Sequence, residues 1–209
     1  MLSADFGNLE RDVKMIGSSK AGWMHIDVMD GVFVPNISFG FPLLKAMVNA
    51  NERLIVDTHL MITEPERYLK RFAEAGSDYI TFHIEATSKV WECIDIIHES
   101  GAKAGLSIKP DTDVSAVEPY LNILDMVLVM SVEPGFGGQK FIEASLDKVA
   151  AIRKMIDRRN LDTIIEVDGG IGSKNAAGLY NVGANILVAG NAVFKAEDPL
   201  REIELILGP

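Results

Sequence analysis

Two histidines and two aspartates lie where apolar segments of the chain end. His25 and Asp27 are two residues apart in one such segment, so they share one face of a predicted strand. His59 lies in a second segment, and Asp168 ends a third directly before a glycine pair. Imidazole nitrogens combined with carboxylate oxygens suit zinc, ferrous iron or manganese. If these strand ends meet, the four side chains form a site for one divalent metal ion.

Glycines follow the later apolar segments in three loops. The residues concerned are Gly135, Phe136, Gly137, Gly138, Gly169, Gly170, Gly190 and Asn191. Glycine lets backbone amides crowd around the oxygens of a phosphate group, although any one of these loops alone is typical of a tight turn. Three such loops after successive segments favour a phosphate cradle.

The elements that must position these residues alternate regularly. Seven predicted strands are centred near Ile26, Thr58, Thr81, Leu106, Leu128, Glu166 and Leu187. Between them, helical patterns cover residues 41–50, 65–75, 89–100 and 146–159, and Gly22, Gly76, Gly101 and Gly183 are predicted to cap helices before strands. Strict alternation implies a parallel sheet. Seven strands and a strand remnant at residues 1–3 predict an α/β fold, a (β/α)8 TIM barrel, with one domain over residues 1–209.

The composition limits the partners of the chain. Its 209 residues carry a formal net charge of −10, which disfavours nucleic acid and anionic membrane surfaces. The single cysteine, Cys93, cannot form an internal disulfide, and no apolar run is long enough to span a bilayer, so a cytoplasmic protein is expected. An anionic ligand must therefore be bound by a local feature such as the glycine loops.

Four segments together resemble the ribulose-phosphate 3-epimerase family. They are residues 25–36, 57–61, 130–139 and 166–170, within a match that runs in unbroken order from residue 2 to about residue 199. The resemblance implies a (β/α)8 barrel, metal ligands at His25, Asp27, His59 and Asp168, and proton exchange with the substrate by the two aspartates. It also implies that the glycine loops hold phosphate and that Met29, Met61 and Met130 line the cavity.

The chain departs from the family pattern in two places. The family carries Ala-Pro-Ser before the segment that matches residues 1–3, so the first strand is expected to be truncated here and the natural protein to extend further upstream. Asn191 stands where the family usually has serine, which keeps a polar side chain and the backbone amide.

Epimerisation next to a ketone removes a carbon-bound proton on one face and returns one on the other, which requires two acid-base groups. Asp27 and Asp168 are predicted to fill these roles in converting D-ribulose 5-phosphate to D-xylulose 5-phosphate at C3, while a divalent ion stabilises the enediolate. Two alternatives stay open: an epimerase for allulose 6-phosphate and a non-catalytic sugar-phosphate binding protein. A homo-oligomer is expected.

Three further residues are predicted to lie outside the site. His83 ends a strand, but it has no partner motif and is expected to be a hydrogen-bonded core residue. His98 is expected near a helix end, and Cys93 on the same helix to be buried and unreactive.

Overall fold

A computed structural model describes residues 1–208 and shows strands and helices in regular alternation. The strands are β1 (Trp23–Met29), β2 (Ile55–Met61), β3 (Tyr79–His83), β4 (Lys103–Ile108), β5 (Met126–Met130), β6 (Ile164–Asp168) and β7 (Ile186–Val188). The helices are α1 (Leu9–Ser18), α2 (Phe41–Ala50), α3 (Leu69–Glu74), α4 (Val90–Glu99), α5 (Ser145–Arg158), α6 (Ala176–Asn181), α7 (Asn191–Phe194) and α8 (Pro199–Leu207). Short 3-10 helices occupy Phe6–Asn8, Pro65–Arg67, Ile84–Ala86 and Val114–Tyr120.

The seven strands form one parallel sheet in sequence order, from β1 to β7. The sheet curls into a nearly closed barrel with the helices outside, so the (β/α)8 prediction is confirmed. The prediction of a strand remnant at residues 1–3 is wrong, because Leu2 and Ser3 lie in a turn. The amino group of Met1 instead donates a hydrogen bond to the carbonyl of His25 at 2.5 Å.

Glycines make the joints between helices and strands. Gly76, Gly101 and Gly183 have φ values of 104°, 83° and 109°, the left-handed region that glycine adopts without steric cost. Gly22 does not share this conformation: α1 ends at Ser18, and extended backbone at Ser19 follows. The prediction of a left-handed glycine cap is thus confirmed at three joints and wrong at the first.

The two faces of the sheet differ in polarity. Outward side chains such as Ile26, Leu60 and Ile80 are fully buried against the helices and form the main core. The inward positions of β1, β2 and β6 carry ionisable residues instead, and all of these are buried except Asp168, which is half-buried. No helix within the described residues is long and apolar enough to cross a membrane.

Candidate active site

Strand register places the inward residues of β1 and β2 in three layers. Asp27 is paired with His59, and His25 is paired with Asp57 one layer deeper. Met29 and Met61 form the outermost layer. Because alternate residues of neighbouring parallel strands point to the same side, this register alone brings two imidazoles and two carboxylates together.

The four residues predicted as metal ligands come together inside the barrel, with Asp168 at the end of β6 and His25 deepest, at the third residue of β1. One potential ligand atom from each of His25, Asp27, His59 and Asp168 lies within 4.8 Å of the others. The Oδ1 atom of Asp27 is 3.3 Å from both His25 Nε2 and His59 Nδ1. Asp168 Oδ2 is 4.0 Å from His59 Nδ1.

The two aspartates of this cluster have opposite electrostatic environments. Burial raises the pKa of Asp27, but the imidazoles of His25 and His59 outweigh it and hold that pKa well below its usual value. Burial, followed by the negative charge of Asp27, raises the pKa of Asp168. Asp27 is therefore the carboxylate of the pair, and Asp168 is the side chain that more readily carries a proton.

Two further carboxyl groups surround His25, and the sequence analysis missed both. Asp57 Oδ2 is 2.5 Å from His25 Nδ1, and Glu166 Oε1 is 3.5 Å from the same nitrogen. Burial, and next the charge of Asp57, raise the pKa of Glu166 to about 8. Burial lowers the pKa of His25, but the neighbouring carboxylates raise it overall. Asp57 and Glu166 each precede a predicted ligand by two residues, and that spacing was the signal for finding them.

His83 lies behind His59 and is fully buried. Its Nε2 atom is 2.8 Å from His59 Nε2, and its Nδ1 atom is 3.2 Å from Glu85 Oε2. Burial is the main reason that the pKa of His83 falls to about 4, which keeps the ring neutral. The prediction of a hydrogen-bonded core residue is confirmed, but the partner is a member of the candidate site.

The glycine loops meet above the ends of β5 and β6. Gly169 and Gly170 have φ values of 124° and 65°, and a Cβ atom on Gly170 would lie 2.5 Å from Phe141 N. Ser131 holds the end of β6 by donating its hydroxyl to the Gly169 carbonyl at 2.7 Å. These glycines allow the loop at residues 133–141 to lie directly against β6.

A cavity of about 740 Å³ joins the cluster to these loops. Its wall includes Met29, Met61 and Met130, which are at most 4% exposed, together with the loop glycines and Asn191. Phe136 is 53% exposed, so it meets the cavity from the rim. Asn36 links the loop after β1 to the loop after β5 by donating to the Gly135 carbonyl at 2.8 Å. The volume suits a small-molecule ligand.

A (β/α)8 barrel with ionisable residues at its strand ends and glycine loops after its late strands defines the class of barrel enzymes that act at the carboxyl ends of the strands. The chain belongs to the ribulose-phosphate 3-epimerase family, whose model matches residues 1–194. The predicted membership of this family, and with it an epimerase, is confirmed.

Individual relatives agree with this membership. A ribulose-phosphate 3-epimerase of Bacillus subtilis is 44% identical over 209 residues, covering 100% of this chain and 96% of the relative. One from Synechocystis is 46% identical over 198 residues, covering 94% of this chain and 86% of the relative. Among solved structures, a mutant tryptophan synthase alpha-subunit from Pyrococcus furiosus superposes with a TM-score of 0.74 at 15% identity, covering 98% of this chain and 94% of that one. This last likeness shows the fold alone.

Proposed function

We propose that the protein is a metal-dependent epimerase that interconverts D-ribulose 5-phosphate and D-xylulose 5-phosphate at C3. The observation that carries the proposal is the cluster of His25, Asp27, His59 and Asp168, whose two aspartates differ in proton affinity. The family membership and the names of the relatives support the choice of a five-carbon substrate.

The side chains of the cluster fit a divalent ion. Two imidazoles and two carboxylates form a donor set suited to zinc, ferrous iron or manganese. The Nε2 atom of His25 is buried and has no hydrogen-bond partner among the described residues, as expected of a nitrogen that serves as a ligand. When bound, the ion would act as a Lewis acid toward the oxygens of the substrate.

The two aspartates can exchange protons with opposite faces of the sugar. They come from β1 and β6, which are not neighbours in the sheet. Asp27, as the carboxylate, would take the proton from C3 in one direction, while Asp168 returns a proton to the other face. The roles reverse for the reverse reaction.

The remaining predicted residues would hold the substrate. Backbone amides of the loops at Gly135–Gly138, Gly169–Gly170 and Gly190–Asn191 would bind the phosphate. The three methionines supply an apolar wall that excludes water without offering a proton.

Solvent-proton exchange tests the two-aspartate mechanism. In D₂O, the wild type should place deuterium at C3 of both sugars. Asp27→Asn and Asp168→Asn should each lower epimerisation by roughly 10²- to 10⁴-fold, the usual contribution of a positioned acid-base group. One variant should still exchange the C3 proton of a single epimer, because each face has its own acid. Asp162→Asn, at an exposed aspartate, serves as the control. Near-normal turnover in both site variants would rule out the mechanism.

Substrate length is tested by comparing kcat/KM for D-ribulose 5-phosphate and allulose 6-phosphate. We expect the five-carbon sugar to be preferred, since one additional CHOH unit must fit between the metal cluster and the phosphate loops. Equal or higher kcat/KM with the six-carbon sugar would assign the chain to the alternative substrate.

We further propose a single domain, a cytoplasmic location and a homo-oligomer. The formal net charge of −10 favours solubility and disfavours nucleic-acid partners. Light scattering on the purified protein would determine the oligomeric state.

A further inference from the structure

His59 uses its two ring nitrogens in different surroundings. Nδ1 faces the cluster, 3.3 Å from Asp27 Oδ1. Nε2 faces away and lies 2.8 Å from Nε2 of His83, with both rings fully buried. A contact of this length between two ring nitrogens requires one to donate a proton and the other to accept it. The tautomers of His59 and His83 are therefore linked.

Glu85 sets the direction of this linked pair. Its Oε1 atom accepts hydrogen bonds from the backbone amide of Lys109 at 2.9 Å and from the hydroxyl of Thr112. A backbone amide can only donate, so this oxygen must accept. Oε2 of the same carboxylate lies 3.2 Å from His83 Nδ1. Two donors fixed at Oε1 stabilise the ionised carboxylate whichever way His83 is protonated. Burial raises the pKa of Glu85, but hydrogen bonds from His83, Lys109 and Thr112 lower it to about 2, in agreement with an ionised group. Nδ1 of His83 must then carry the proton.

The remaining proton positions follow in order. With its proton on Nδ1, neutral His83 presents a lone pair at Nε2. Nε2 of His59 must therefore be the protonated donor, which leaves the lone pair of His59 on Nδ1, directed at Asp27. The two nitrogens of His25 have the opposite roles: Nδ1 is hydrogen-bonded to Asp57, and Nε2 faces the cluster.

We propose that His83 and Glu85 are positioning residues that fix His59 as the Nε2–H tautomer and so make Nδ1 its metal-binding atom. This inference rests on the proposed role of His59 as a ligand. Register explains why two residues are needed: the position of β3 opposite His59 is Thr81, and His83 lies one inward position further along. Glu85 lies beyond the end of β3, and the ring of His83 connects its carboxylate to His59.

Packing holds in place the series of contacts from Glu85 through His83 to His59, the relay. The ring of Phe33 lies against His83, with centroids 4.8 Å apart. The ammonium group of Lys109 lies 4.1 Å from the centre of the Phe33 ring, while its backbone amide holds Glu85. The loops after β1 and β4 thus enclose the His83–Glu85 pair.

Nitrogen NMR of the metal-free protein tests the tautomers without reference to activity. The chain has four histidines, so long-range ¹H–¹⁵N correlations of protein labelled at histidine can be assigned by single substitution. We expect His59 protonated at Nε2 and His83 protonated at Nδ1. A neutral His59 that carries its proton on Nδ1 would overturn the proposal.

Glu85→Gln tests the direction of the relay. The amide oxygen of the glutamine should replace Oε1, since Lys109 N–H requires an acceptor, and its NH₂ group should then face His83 Nδ1. Both tautomers should reverse, placing a proton on His59 Nδ1, and metal affinity should fall by roughly 10- to 100-fold, as for other residues that orient metal ligands. Unchanged tautomers together with unchanged affinity would contradict the relay.

Substitutions at His83 separate its positioning role from a packing role. His83→Gln can accept from His59 and donate to Glu85, so it should keep metal affinity within a few fold, whereas His83→Leu should lose roughly 10- to 100-fold. His98→Leu breaks an exposed histidine–aspartate pair at 2.8 Å and is the matched control. Affinity is measured by titration with Zn²⁺ or Mn²⁺, and circular dichroism checks folding.

His59→Ala distinguishes failure of this inference from failure of the proposed function. If His59→Ala binds metal as tightly as the wild type, the proposed metal site is wrong. If His59→Ala loses affinity but His83→Leu and Glu85→Gln do not, the metal site stands and the relay is rejected. If His83→Leu does not fold, the relay is tested by the metal affinity of Glu85→Gln and by the NMR tautomers of His59 and His83.

Discussion

At the scale of single residues, identical side chains acquire different properties from their neighbours. Asp27 lies between two imidazoles, which lower its pKa, while burial and the charge of Asp27 raise the pKa of Asp168. One acid and one base can thus be made from two aspartates without any difference in residue type. The proposed exchange reaction depends on this difference.

Cys93 gives a residue-scale prediction about reactivity. Burial is the main cause that raises the pKa of its thiol to about 12, with Glu66 and Glu92 adding to the effect. The folded protein should therefore react negligibly with a thiol reagent such as DTNB at pH 8, since the thiolate is the nucleophile. Full reaction is expected in guanidinium chloride, which serves as the control. Rapid labelling of the folded protein would show that α4 opens readily.

At the scale of elements, the loops reach the site because glycines allow close approach of the backbone. Gly170 lies against residues of the loop after β5, where a Cβ atom would be 2.8 Å from Phe141 Cα and 2.9 Å from the carbonyl oxygen of Gln139. Main-chain atoms cannot rotate away as a flexible side chain can, so the loop itself would have to move. The shape of the proposed phosphate cradle therefore depends on this position.

Gly170→Ala should damage both stability and phosphate binding. The clash and the φ of 65° should cost about 1–3 kcal/mol in the free energy of unfolding, measured by urea denaturation. KM for the sugar phosphate should rise more than kcat falls, because the proposed role of the loop is to hold the phosphate rather than the reacting carbon. Gly178→Ala is the control: it lies in α6 with no atom closer than 4.0 Å to the added Cβ, and it should be neutral or stabilising. Equal effects of the two substitutions would contradict the cradle.

At the scale of the whole molecule, the barrel brings together groups that are distant in the chain. The cluster draws on β1, β2 and β6, so the proposed ligands come from strands in both halves of the sequence. An unfolded chain cannot maintain that arrangement. Binding of an ion to the cluster should consequently stabilise the fold as a whole.

Removal of metal should lower the melting temperature. At a free-ion concentration of 100 times Kd, binding to the folded state adds about 2.7 kcal/mol to the free energy of unfolding. Treatment with a chelator should remove this increment together with epimerase activity, and added Zn²⁺, Mn²⁺ or Fe²⁺ should restore both. His59→Ala should show no such dependence. A wild-type melting temperature that does not respond to chelator or added ion would contradict metal binding at the cluster.

The sequence by itself determined the alternation of strands and helices and the residues that end the strands. The predicted helix at residues 41–50 coincides with α2, and all seven predicted strands are present. These features depend on local patterns: two-residue alternation, apolar segments, and glycine at helix ends. The four proposed ligands could be chosen for the same reason, because all lie at inward positions of predicted strands and Asp168 ends its strand beside a glycine pair.

Only the tertiary structure decided which groups surround the proposed ligands and how strongly each group holds a proton. Asp57 contacts His25 across 32 positions of the chain, and His83 contacts His59 across 24. Strand register and burial create these contacts, and proton affinity follows from them, since it depends on the distance to other charges and on the loss of water. Local sequence pattern also could not predict the turn at Leu2 and Ser3. Met1 donates a hydrogen bond to His25 instead of extending a strand, and that contact exists only once β1 is in place.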